Sequence, residues 1–99
     1  MSYSIELADQ AIHDLSEIMD WYRHQKEGLE IEFKLSLEAA FDQLKRNPLA
    51  FQIRVKGSRN ILLQRFPYKV VFKIYSERIK IYGVLHHSRS PKLIRKRLK

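Results

Sequence analysis

The segment YSIEL near the start of the chain sets Ile5 and Leu7 between polar neighbours, a period of two that predicts a short strand. From Asp9 the period changes. Ala11, Ile12, Leu15, Ile18, Met19 and Tyr22 recur at three- and four-residue spacing, one face of a helix, with Asp9 as its N-cap or first-turn acid. Asp14, Glu17 and Asp20 then fall mostly on the wet side. Gly28, in QKEGLE, predicts a break before a second helix. The stretch LEIEFKLSL fits two readings: Leu29, Ile31, Phe33, Leu35 and Leu37 alternate as in a strand, whereas Leu29, Phe33, Leu37, Ala40, Phe41 and Leu44 form a helical stripe. The stripe is longer, contains Ala39 and Ala40, and stops at Asn47-Pro48, where the residue before a proline resists helical geometry. Helix is therefore predicted.

After Pro48 the pattern shortens into β-branched and aromatic runs. FQIRV reads as an edge strand, Gly57-Ser58 as a turn, RNILLQRF as a strand bounded by Pro67, YKVVFKIY as a strand, Ser76-Glu77 as a tight turn and RIKIYGVLHH as a final strand. Strand, helical hairpin and antiparallel meander together predict an α+β domain with the hairpin on one sheet face. One domain over residues 1–99, with a basic tail at about 90–99, is the expected organisation.

Charge sharpens this division. Residues 1–50 hold five Lys/Arg against ten Asp/Glu, a balance of −5, while residues 51–99 hold fourteen Lys/Arg against Glu77 alone, +13, which together give +8. A half so basic attracts polyanions through steering and counterion release, so nucleic acid or an acidic protein is the expected partner. Cysteine is absent, which removes disulfides, thiolate nucleophiles and thiolate metal sites and fits a reducing cytosol. No basic-then-apolar leader and no apolar run of about 20 residues is present, so the expectation is a cytoplasmic protein without a membrane association.

Alternation sorts the strand side chains. With Val70, Phe72 and Ile74 toward the helices, Lys69, Val71, Lys73 and Tyr75 face outward; in the last strand Ile79, Ile81 and Leu85 point inward and Lys80, Tyr82, Val84 and His86 outward. The open face thus collects lysines, tyrosines and one histidine. His86 and His87 point oppositely in a regular strand and do not serve one site, and no spacing supplies three convergent metal ligands, so neither a metal nor a cofactor is expected. Arg89 lies just past the strand, where its fork suits a phosphate or a carboxylate. In KLIRKRLK, Ile94 and Leu98 stand four apart among cations, either a short docking helix or a tail disordered alone.

The order of elements, with GLEIEFKLSLEAAFDQLKRNPLAF, FPYKVVFKI and GVLHHSRSPK, resembles the RelE/ParE superfamily of toxins from bacterial type II toxin–antitoxin pairs, over nearly the whole chain. The resemblance implies a small toxin held inactive by a cognate antitoxin that wraps over helices and sheet, for which Trp21 and Tyr22 are candidate contacts. RelE-like members cut messenger RNA on the ribosome with basic and proton-transferring groups. Asn60 and Leu62 stand where that pattern has a lysine pair, Lys69 stands at its first Arg, Arg89 matches its second and Arg95 replaces its Tyr, so only part of the set is present. ParE-like members poison DNA gyrase by binding it. The Val-Leu-His-x-x-Arg ending and basic C-terminus resemble that branch, implying a target-binding surface of Lys69, Lys73, Lys80, Tyr82, His86, Arg89, Arg95 and Arg97. The alternatives are a ribosome-dependent nuclease in which His86, Arg89 and Lys69 are catalytic, or a degenerate member without toxicity.

Overall fold

A computed structural model describes residues 3–98. Strand β1 (Ser4–Leu7) leads into helix α1 (Asp9–Gln25), and helix α2 (Leu29–Arg46) returns antiparallel to it in the order the hydrophobic periods require. Asp9 is the first helical residue and a first-turn acid; Ala8 is the N-cap. Gly28 starts α2 at φ 85°, a left-handed conformation that a side chain disfavours. The helical reading of LEIEFKLSL holds because Phe33, Leu37, Ala40 and Leu44 bury one stripe while Ile31 and Leu35 stay in water, 60% and 61% exposed.

Strands β2 (Arg59–Leu62), β3 (Tyr68–Tyr75) and β4 (Arg78–His86) follow, and the sheet order is β1-β4-β3-β2. β2, β3 and β4 are the antiparallel meander, while β1 lies parallel to β4 with Ile5 opposite Ile79 and Leu7 opposite Ile81. Helices α1 and α2 cover one face over a core that includes Phe33, Leu44, Val70, Phe72, Ile79 and Ile81. Tyr22, Phe33, Phe66 and Tyr68 cluster at one end of it, edge-on except for the tilted Tyr22–Phe33 pair, with ring centres 5.2 to 6.4 Å apart.

Two predicted strands are shorter or missing. FQIRV makes only a single bridge, Ile53 to Arg59, between two 3-10 turns, Pro48–Ala50 and Val55–Gly57. Its alternation does not share a face: Phe51 packs into the helix-side core, Val55 joins a second cluster and Ile53 is exposed. The RNILLQRF strand ends at Leu62, because Arg65 takes a positive φ of 71° and the Ser36 hydroxyl donates to Gln64 O at 2.7 Å, drawing the loop toward α2.

The basic C-terminal segment forms helix α3 (Pro91–Arg97), which packs on the sheet face opposite the helical hairpin. Ile94 and Leu98 bury there with Val71 and Leu85, so the face expected to be open is partly roofed by the chain itself. Leu85 outward and Val84 inward reverse the expected orientation. The cause is a β-bulge: Phe72 pairs with Ile81 but Val71 pairs with Gly83, leaving Tyr82 as an extra residue that changes the phase of alternation.

Candidate target-binding face

The outer face has two uncovered ends. Toward the β3–β4 turn, Lys73 and Lys80 stand directly opposite each other, a like-charge pair that costs rather than adds stability. Glu6 is beside Lys80 in the register, but its carboxylate accepts from Arg78 at 3.2 Å. Lys80 lies 5.3 Å from the ring centre of Tyr82, a cation–π contact. The hydroxyls of Tyr75 and Tyr82 meet at 2.6 Å. Burial, then the hydrogen bond to Tyr75, push the Tyr82 phenol up to about 12, so it is a neutral hydrogen-bonding group at ordinary pH.

At the other end Lys69 projects on the same outer side, paired with Leu85, and its ammonium lies 3.4 and 3.5 Å from the carbonyls of His87 and Arg89. Asn60 and Leu62 share this side by their pairing with Val71 and Lys69. No lysine pair stands where a RelE-like arrangement has one.

His86 is not on this face. Past the bulge it pairs with Tyr68 and stacks edge-on against it at 5.7 Å, on the helix side. There it lines a cavity of about 350 Å³ with His13, Asp14, Glu17, Tyr68 and Arg89. His86 Nδ1 lies 3.2 Å from the Ser88 amide and 2.8 Å from the Ser88 hydroxyl, contacts that fix the ring at the strand end. The chain leaves the strand at His86, and the His86 and His87 rings come to 4.7 Å, so the opposed orientation expected for a regular strand does not apply.

The remaining expected residues separate. Arg89 and Arg95 are exposed, whereas Arg97 is engaged within the chain: its guanidinium donates two bonds of 2.8 Å to Asp14 and one of 3.2 Å to Tyr82 O. The Val84 amide also donates to Asp14, at 3.0 Å. β1 ends opposite Ile81, so the ion pair satisfies strand groups that β1 no longer reaches. Trp21 is 59% exposed, but its neighbour Tyr22 belongs to the aromatic cluster; burial, then Tyr68, raise the Tyr22 phenol. Sequence reasoning missed Asp14 as an anchor and missed Lys56, Lys92 and Lys96 altogether; Ile94 and Leu98, four apart, were the available signal for α3. No helix among the described residues is long and apolar enough to cross a membrane.

A family model described as the ParE toxin of the type II toxin–antitoxin system parDE matches residues 5–91. Among solved structures, a chain of the chromosomal ParDE system from P. aeruginosa is 21% identical, with 85% of this chain and 95% of that one covered at a TM-score of 0.71. A chain of the RelBE2 toxin–antitoxin complex from Mycobacterium tuberculosis is 22% identical, with 87% and 99% covered at 0.58. A mutant of E. coli toxin RelE in the free state is 14% identical, with 99% and 96% covered at 0.63. These likenesses establish the fold. No curated protein sequence matches the chain significantly.

Proposed function

The chain belongs to the ParE toxin family of type II toxin–antitoxin systems, and from that premise we propose that it acts in the cytoplasm by binding and poisoning DNA gyrase, under restraint by a cognate antitoxin. The observation that carries this reading is that Lys69 and His86 project from opposite sheet faces, with Asn60 and Leu62 beside Lys69. Strand cleavage at a phosphate requires charge neutralisation and proton transfer on one reacting group. Around Lys69 the outer face supplies the first, with Leu62 and Leu85 as its cross-strand neighbours and no histidine or carboxylate paired with it for the second. A clasping toxin requires a cationic, accessible surface, and Lys69, Lys73, Lys80, Tyr82, Arg89 and Arg95 are its proposed contacts. Arg97 serves by holding α3 in place. Trp21 is the proposed antitoxin contact, with Tyr22 supporting it from below.

A second reading has one observation in its favour: His86 and Arg89 share a cavity with Asp14 and Glu17, so a base, a cation and carboxylates do converge, on the helix side. Purified protein is tested on gyrase supercoiling and on messages being translated. Inhibited supercoiling or trapped cleaved DNA with intact messages supports the gyrase reading. Cut messages, abolished by His86→Ala or Arg89→Ala, replace it with a ribosome-dependent nuclease, and inactivity in both assays identifies a degenerate member.

A further inference from the structure

A cleft of about 530 Å³ opens between α3 and the turn Val55–Gly57, lined by Lys56, Lys92, Leu93, Arg95 and Lys96. Four of these five side chains are cations. No carboxylate lines the cleft, and none of the four forms an ion pair among the described residues. Lys92 and Lys96, four apart, share the side of α3 turned away from Ile94 and Leu98, which bury against the sheet, and Arg95 flanks that buried stripe. Their mutual repulsion is thus held in place by an anchored helix.

The opposite lip carries a second, independent mark. Lys56 has φ 51° and ψ 36°, the left-handed region that glycine or asparagine enters at less cost. The turn is fixed from beneath: Ser58 is fully buried, its hydroxyl donates to Val55 O at 2.6 Å, and Val55 packs against the cluster under α3. A strained backbone therefore presents one more cation to a cleft that already holds three.

We propose that this cleft is a binding site for the phosphate backbone of duplex DNA. Lys and Arg donors match phosphate oxygens, and the +13 balance of residues 51–99 supplies long-range attraction. The lining contains no aromatic ring on which an unpaired base would stack, which favours the backbone of a duplex over a single strand. The assignment does not rest on gyrase as the target, because DNA binding is measured with no gyrase present.

The test is fluorescence anisotropy of the full chain with a mixed-sequence duplex of about 20 base pairs, at about 50 to 200 mM salt. Four phosphate contacts give a slope of log affinity against log salt of about −3.6 or steeper, at about 0.9 per cation. Lys92→Gln with Lys96→Gln shallows the slope by about 1.8, and Lys56→Gly by about 0.9. Lys56→Gly also keeps or raises thermal stability, since glycine accepts the backbone angle, so its weaker binding is not a folding defect. Lys34→Gln, on α2, leaves the slope unchanged. An unchanged slope in the cleft variants overturns the site, as does tighter binding of single-stranded RNA than of duplex. A poly-glutamate peptide of equal charge binding as tightly as DNA also overturns it, in favour of an acidic protein partner.

Discussion

Asp14 on α1 and Arg97 on α3 stand 83 residues apart and meet through two parallel hydrogen bonds of 2.8 Å, with 10% and 16% of their side chains exposed. They lie where the bulged strand runs past its parallel neighbour, and they join the layers on both sides of the sheet. Removing one partner of so enclosed a pair leaves the other charge uncompensated, so Asp14→Ala or Arg97→Ala costs roughly 3 kcal/mol in urea unfolding. The double variant costs little more than either single one. Additive losses would mean that the two residues act separately.

Lys73 and Lys80 face each other across β3 and β4 without a carboxylate of their own. Lys73→Glu turns repulsion into an opposite-charge pair and raises stability by about 0.2 to 1 kcal/mol. It also weakens gyrase inhibition if this end of the face meets the target. Greater stability with undiminished inhibition would remove Lys73 and Lys80 from the contact surface.

Alkaline pH acts on Tyr82. Its phenol titrates at about 12 in the folded chain, held up first by burial and then by Tyr75, against 10.0 for an unperturbed tyrosine. The folded state therefore keeps its proton longer than the unfolded one. That contribution is complete below pH 10 and is lost progressively as the pH climbs toward 12. Urea midpoints measured across this window decline more steeply for the wild type than for Tyr82→Phe. Parallel curves would show that Tyr82 carries no linkage.

Trp21 and Tyr22 are neighbours with separate duties. Tyr22→Ala opens the aromatic cluster with Phe33, Phe66 and Tyr68 and costs about 3 to 5 kcal/mol. Trp21→Ala, at a site 59% exposed, leaves the unfolding midpoint within about 0.5 kcal/mol and weakens antitoxin capture. Unaltered capture would place the antitoxin elsewhere.

Element order, the helical hairpin and the meander were legible because hydrophobic periods of 3.6 and 2 survive in α1, α2, β3 and β4. FQIRV misled because its apolar residues serve two different cores, a division that no local period encodes. The orientation of Val84, Leu85 and His86 was illegible for a related reason: a bulge depends on how two strands pair, and β4 alone reads as unbroken alternation. α3 left a trace in Ile94 and Leu98, but whether they docked on a partner or on Val71 and Leu85 depended on contacts across the chain. Arg97 looked free in a run of cations because its counter-charge, Asp14, lies at the far end of the sequence.

The extra residue at Tyr82 separates the length of β4 from the register it keeps with β3. Deleting that residue would make the strand regular and leave Val84, Leu85 and His86 opposite Val70, Lys69 and Tyr68, on the sides they now occupy. The insertion thus adds one outward phenol, which reaches the Tyr75 hydroxyl, at no cost to the facing of anything downstream.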